Sequence, residues 1–355
     1  MHLLVAITPH GFGHAAQVAP IINAIRETDA VLRLTIQTSL PESFLRERIR
    51  GDFIIVDRAA DFGLVMRSAL DIDLDTSASA YAGLHSNWQE RVDEETRWLV
   101  SIAPDLVLAD VPYLTLAAAD QAGIPAVALC SLNWADIYRY YFSGRSEAGR
   151  VLEQMEAAYQ SARAFLCPEP SMPMDFLDNR VSIAPIAAQG VCQRDQLNEQ
   201  LQLDDGQALV LVAPGGIDTR FAMEGWPDSQ GIHWLVSGHW NIRHPDTSSL
   251  ESTGYSFTDL VSSCDAVLGK CGYGTVVECA VNGTPLMYIP RPDWPEESPL
   301  LQWLERHDAA VEVAPYRLVS GDFDEPVRQA KSKVVKACQA TGARQAADYL
   351  FNCLR

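Results

Sequence analysis

Positive charge is scarce in this chain: 27 Lys and Arg stand against 46 Asp and Glu over 355 residues, a formal net charge of −19. A nucleic-acid partner needs clustered basic side chains against its phosphates, so that class of function is excluded, and docking on an anionic membrane is disfavoured. Long apolar runs are missing as well. The longest are strand-sized, which leaves nothing to span a bilayer as a helix. Met1 runs almost directly into the strand-like Leu3-Leu4-Val5-Ala6-Ile7 without a charged leader or a cleavage site, and a cytoplasmic location is expected. The eight cysteines (130, 167, 192, 264, 271, 279, 338 and 353) form no CxxC pair, so buried free thiols are expected rather than a disulfide framework or a zinc site. No repeat or low-complexity tract is present.

What is there is a double series of βα units. The length predicts two domains. Strands are expected at 2–8, 31–37, 52–56, 105–109, 125–130 and 164–167, separated by helix-compatible stretches at 15–27, 41–49, 86–101, 113–122 and 147–163. Residues 57–83, rich in Asp, Ser and Ala, have weak periodicity and read as a long mobile excursion. Prolines cluster from Pro168 to Pro173, which suggests a first domain over 1–168, a linker over 169–190 and a second domain over 191–355. In that second domain strands are expected at 207–213, 231–236, 265–268, 285–289 and 309–313. Alternating βα units imply parallel sheets covered by helices, an α/β class with two Rossmann-like, doubly wound domains. Two such domains facing one another leave a cleft at the carboxyl ends of their strands, where ligands bind.

Several constellations fall at those strand ends. Residues 270–278 read Lys-Cys-Gly-Tyr-Gly-Thr-Val-Val-Glu between two apolar runs. A Gly-rich turn opening a helix exposes backbone N–H groups to an anion. Lys270 adds a positive charge, Thr275 a hydroxyl, and Glu278, about one turn further on, a carboxylate for paired sugar hydroxyls. The combination suits a nucleoside diphosphate, although Lys270 could instead be a surface residue and Glu278 an ordinary helical one. Gly215 and Gly216 end the first strand of the second domain and could bring further amides to a phosphate. Glu296 and Glu297 sit in a proline-rich loop, either to bind sugar hydroxyls or to place negative charge in the first turn of the next helix.

The first strand runs into Thr8-Pro9-His10-Gly11-Phe12-Gly13-His14. Gly11 and Gly13 allow a tight loop, and His14 at the start of a helix could serve as a general base; capping or local packing is the alternative. His10 and His14 have a metal-pair spacing, but the two glycines speak against helix between them and no third ligand is evident, so no metal is expected. Asp110 ends the apolar run Leu106-Val107-Leu108-Ala109. It could orient a base histidine through Nδ1–H, or cap the helix that follows. The aromatic run from Trp134 to Phe142 reads as helix packing more than as an acceptor wall. His239 and His244 read as solvated loop residues.

Together these residues resemble a family: the GT-B-fold, nucleotide-sugar-dependent glycosyltransferases, the broad group holding plant-type UDP-sugar transferases and the peptidoglycan GlcNAc transferase. The Gly-His loop at His14 is similar to the segment bearing that family's catalytic base. The element ending at Asp110, with Val111-Pro112-Tyr113 after it, looks like the one bearing the partner aspartate. The 270–278 stretch is similar to the donor signature His-Cys-Gly-Trp-Asn-Ser-x-x-Glu. The resemblance implies that Gly272, Gly274 and Thr275 contact the diphosphate, that Glu278 binds the ribose, and that Glu296 and Glu297 take the place of an acidic-Gln pair reading the donor sugar. Lys270 replaces the usual His, keeping a cation at the diphosphate, and Glu297 replaces the usual Gln. Tyr255 and Phe257 mark the region expected at the nucleobase. The His-Gly-Phe-Gly-His loop also resembles transferase-like regions attached to some sugar kinases, with no kinase segment following here.

The function so implied is inverting, metal-independent transfer of a sugar from a UDP- or dTDP-sugar co-substrate to a hydroxyl or amine of a small-molecule, glycan or natural-product acceptor, with no further cofactor. His14, supported by Asp110, would take the acceptor proton. A nucleotide-sugar hydrolase or epimerase, and a non-catalytic nucleotide-sugar-binding subunit, are the competing readings.

Overall fold

The computed structural model describes residues 1–29, 31–68, 70–215, 219–228 and 231–354, and the chain divides into two compact units. The first comprises Met1–Arg67, Asp71–Ile186 and Thr341–Arg355; the second comprises Ser68–Leu70 and Ala187–Ala340.

The strands, in chain order, are β1 (His2–Ile7), β2 (Arg33–Thr38), β3 (Ile54–Asp57), β4 (Met66–Ser68), β5 (Asp71–Ile72), β6 (Leu106–Asp110), β7 (Ala126–Leu129), β8 (Phe165–Pro168), β9 (Arg180–Ile183), β10 (Ala208–Ala213), β11 (Ile232–Val236), β12 (Thr247–Ser249), β13 (Ala266–Lys270), β14 (Leu286–Ile289) and β15 (Ala310–Glu312). In the first unit they form a seven-stranded sheet in the order β3-β2-β1-β6-β7-β8-β9, every pair parallel. In the second, six strands run β12-β11-β10-β13-β14-β15, again all parallel. β4 and β5 make a separate two-stranded ribbon.

Both sheets are doubly wound, which explains the near-continuous apolar strands: helices on both faces leave no solvent side for polar residues. All six residues of β1 are buried, with Leu3, Val5 and Ile7 entering one core on alternate positions. In the second unit Leu209 and Leu211 of β10 face one core while Ala208, Val210 and Val212 face the other. The strand order reverses between β1 and β6 in one sheet and between β10 and β13 in the other. A doubly wound sheet binds its ligands at that reversal, where neighbouring connections leave in opposite directions.

Three expectations need correction. The 57–83 stretch is not a structureless excursion: it holds the ribbon and a helix, Leu74–Ser86, whose N-cap Asp73 accepts from the Thr76 amide at 3.0 Å. A side-chain cap supplies there what periodicity did not announce. β9 and β12 were not foreseen; each is a short edge strand of three or four residues, Thr-Ser-Ser in β12 and Arg-Val-Ser-Ile in β9. The terminal helix, Gly342–Asn352, was placed with the second domain but belongs to the first unit. Its Ala346, Ala347 and Leu350 fill the core beneath the helix Phe12–Thr28, because its apolar stripe of small residues fits that surface closely.

Leu350 is fully buried. Leu350→Ala is therefore expected to destabilise the first unit by about 2–5 kcal/mol, read as a lowered midpoint in urea denaturation.

Candidate functional site

In the first unit the chemistry gathers at the strand reversal. β1 and β6 pair so that Ile7 lies opposite Asp110, and the Thr8 amide donates to the Asp110 carbonyl at 2.8 Å. After β1 the chain turns through Gly11, the N-cap, into the helix Phe12–Thr28, so Gly13 and His14 lie in its first turn. His14 thus stands over the end of β6. Its Nδ1 is 2.8 Å from Asp110 Oδ1, with His14 7% and Asp110 0% exposed. The Asp110 carboxylate does not cap the next helix, Tyr113–Ala122, whose N-cap is Pro112.

Around this pair three elements close in. Trp134 opens the helix Trp134–Phe142, capped by the Asn133 side chain, which accepts from the Asp136 amide. The indole lies 6.1 Å from the His14 ring and 5.0 Å from that of His10, centroid to centroid. Tyr159 fixes its backbone, accepting from the Trp134 amide at 3.2 Å while donating to the Val111 carbonyl at 3.0 Å. One face of the aromatic run is core, with Trp134, Ile137, Tyr138 and Phe142 buried, while Tyr140 is exposed. Cys130 Sγ, after β7, lies 3.7 Å from His14 Nδ1. His14, Asp110 and Cys130 bring potential ligand atoms within 4.8 Å of one another, but Nδ1 already faces the Asp110 carboxylate, and no ion is assigned there.

The segment after β3 supplies a residue the sequence reading missed. Asp61 is 5% exposed and accepts from Trp134 Nε1 at 2.7 Å. Burial pushes its carboxyl up to about 6; Thr8, His14 and the Trp134 indole pull it back, and Asp110 adds to the rise. Two residues on, Gly63 has φ +67°, and a Cβ there would strike the Trp134 ring at 2.6 Å, so only glycine brings the loop this close. The Leu64 amide then donates to His10 Nδ1 at 3.3 Å, which leaves the His10 proton on Nε2. A lone carboxylate between Ala59-Ala60 and Phe62-Gly63 was the legible signal.

In the second unit the corresponding reversal carries the Gly-rich turn. β13 ends at Lys270, Gly272 is the N-cap, and the helix Tyr273–Val281 follows, with Gly272, Gly274 and Thr275 half-exposed. Gly215, after β10, lies against Lys270: at φ +110°, an added Cβ would sit 2.7 Å from Lys270 Cε. Gly216 lies outside the described residues. Burial, then the neighbouring Arg291, draws the Lys270 ammonium down to about 7, with Glu296 pulling the other way. Its full charge at neutral pH, taken for granted in the sequence reading, therefore needs an added anion. Glu278 is buried on the same helix.

Arg291 was not anticipated. It is 8% exposed, stacks over Trp294 at 4.9 Å and donates from Nη2 to the Cys271 carbonyl at 2.9 Å. A charged residue between two prolines directly after β14 was its signal. Glu297 is held inside the loop, both oxygens accepting from the Arg291 amide at 2.7 and 2.9 Å, and burial raises its carboxyl. Glu296 accepts from Trp294 Nε1 at 3.2 Å. Of the two, Glu297 thus acts on its own loop. Tyr255 and Phe257 are half-buried and pack on the second unit's core. His244 is not solvated: its Nε2 donates to the Trp226 carbonyl and its ring is almost fully covered.

With this geometry established, the comparisons become informative. No protein-family profile matches the chain. Structural similarity extends over both units. The glycosyltransferase of kitacinnamycin superposes with a TM-score of 0.63 at 15% identity, over 100% of this chain and 99% of that one. The calicheamicin glycosyltransferase CalG4 gives 0.60 at 15%, over 99% and 98%. Arabidopsis thaliana UGT89C1, solved with UDP, gives 0.57 at 15%, over 98% and 94%. The fold is GT-B. In sequence, the chain is 26% identical over 348 residues to L-arabinokinase of Arabidopsis thaliana, covering 96% of this chain and 33% of that protein. It therefore spans about a third of the length of the curated relative it matches. Among the described residues, no helix of this GT-B chain is long and apolar enough to cross a membrane.

Lys270 provides a test by pH. The unfolded amine ionises near pH 10.4 and the folded one at about 7, so folding is penalised most below pH 7 and the penalty fades as pH climbs towards 10. Lys270→Met is expected to unfold at higher urea than the unchanged protein at pH 6 and to lose that advantage by pH 10.

Proposed function

We propose that this protein is an inverting, metal-independent glycosyltransferase that moves a sugar from a UDP- or dTDP-sugar to a hydroxyl or amine of a small-molecule, glycan or natural-product acceptor. The observation that carries the proposal is the His14–Asp110 contact of 2.8 Å at the strand reversal of a GT-B fold. With Nδ1–H donated to Asp110, Nε2 presents its lone pair to the acceptor. It takes the acceptor proton while the acceptor oxygen attacks the anomeric carbon opposite the departing diphosphate, which inverts the configuration there. Asp110 stabilises the imidazolium that results.

The second unit holds the donor. The amides at 273–275 and the Thr275 hydroxyl bind the diphosphate at the helix N-terminus beside Gly272, whose own amide donates to the Lys270 carbonyl at 3.0 Å, and Glu278 binds the ribose. A diphosphate brings two negative charges beside Lys270 and restores the proton that burial removes. Arg291, always charged, reinforces that end of the sheet. These groups carry the leaving-group charge, so the chemistry calls for no metal. Glu296 is the candidate for the donor sugar, and Tyr255 and Phe257 for the nucleobase. The similarity of UGT89C1, solved with UDP and with UDP-L-rhamnose, supports a uridine donor. A cytoplasmic location suits such a donor.

A second reading draws on the relationship to L-arabinokinase. On that reading the chain binds a sugar nucleotide or a sugar without transferring it, as a module beside another activity.

A thermal-shift series over nucleoside diphosphates and their sugars tests donor binding, since a ligand of the folded state raises its melting temperature by mass action. The matching sugar nucleotide is expected to stabilise; if none does so beyond nucleoside controls, the donor site is wrong. With donor and acceptor found, His14→Ala should lower kcat by about 10²–10⁴-fold with donor affinity unchanged, and EDTA should leave turnover intact. Retained biological activity in His14→Ala would favour the binding module, and nucleotide release without acceptor a hydrolase.

A further inference from the structure

Asp61 is the one carboxyl near His14 that the proposed reaction leaves unused. It is buried, and among the described residues no Lys or Arg pairs with it. Its contacts are the Trp134 indole N–H at 2.7 Å, the neighbouring Thr8 hydroxyl, and the charges of His14 and Asp110. The Tyr81, Tyr113 and Tyr159 phenols stand around it, all kept neutral by burial. A buried anion without a cation is costly. If its task were only to hold Trp134, the neutral amide of Asn would accept the same hydrogen bond at less cost.

We propose that Asp61 is a positioning residue of the His14 site, holding Trp134 against the histidine rings and, by its negative charge, favouring the protonated imidazole. The groups facing His14 then include Asp110 from the end of β6, Asp61 from the loop after β3, Cys130 from the end of β7, and His10, whose Nδ1 accepts from the Leu64 amide. As His14 takes a proton, a second carboxylate beside the first makes it a stronger base than the His14–Asp110 pair alone. Near pH 6, where the Asp61 carboxyl takes up its proton, that proton and one on His14 oppose each other, so the two titrate as a coupled pair. The consequence for turnover rests on the reading of His14 as the base, but the coupling can be measured with no substrate at all.

The test is an NMR titration of the full chain, following the His14 ring nitrogens and the Asp61 carboxyl carbon. In the unchanged protein both signals should show two inflections, each echoing the other. In Asp61→Asn the His14 midpoint should move to lower pH by about one unit. Above pH 6 this variant should melt no lower than the unchanged protein, because the ionised, buried carboxylate is gone. Trp134→Phe, which removes the indole donor along with part of the ring, should raise the Asp61 midpoint. An Asp61 carboxyl that titrates with no echo in the His14 ring, or a His14 midpoint unmoved by Asp61→Asn, overturns the proposal. Should Asp61→Asn fail to fold, the titration of the unchanged protein decides alone. Loss of sugar-nucleotide binding would refute the transferase reading without touching this one.

Discussion

The parallel pairing of β1 with β6 governs the first unit. It sets Ile7 opposite Asp110, ties Thr8 to the Asp110 carbonyl and places the first turn of the following helix above that carboxylate. A slip of one residue would invert the alternate sides of β1, and Leu3, Val5 and Ile7 would leave their core. The histidine contact is therefore specified by packing several residues away from it. Hydrophobic burial along the strand holds a polar geometry at its end.

The two units use the same topological position for opposite electrostatics. In the first, two buried carboxyls and an imidazole stand together, and burial disfavours the ionised form of Asp61 despite its bond from Trp134. In the second, Lys270 and Arg291 stand beside the glycine-rich turn, and burial, reinforced by Arg291, suppresses the lysine charge. A chain with a net charge of −19 thus keeps a local positive centre at the strand ends of its second unit.

Much of this was legible in the residues. Both parallel sheets follow from short apolar runs alternating with amphipathic stretches, because a strand buried on two faces has few other ways to be written. His14 and the 270–278 turn were legible from the glycines beside them, and Asp110 from its place at the end of an apolar strand. Asp61 and Arg291 were legible only as lone charges, since their roles come from what folds over them: Trp134 in one case, Cys271 and Trp294 in the other. Edge strands β9 and β12 escaped notice because each is only three or four residues long. The fate of Glu297 was also hidden, as its partner is a backbone amide that no side-chain pattern reveals.

The return of the terminal helix to the first unit has a consequence for how the polypeptide matures. Pro185 and Gly342, far apart along the chain, are hydrogen-bonded neighbours at 3.0 Å, so the intervening segment is looped out from an otherwise continuous body. During synthesis the segments of the first unit that precede Ala187 lack Ala346, Ala347 and Leu350 until the whole of the second unit has been made. The nascent N-terminal body must wait with an uncovered apolar groove along Phe12–Thr28, whereas the second unit has its own core complete before then.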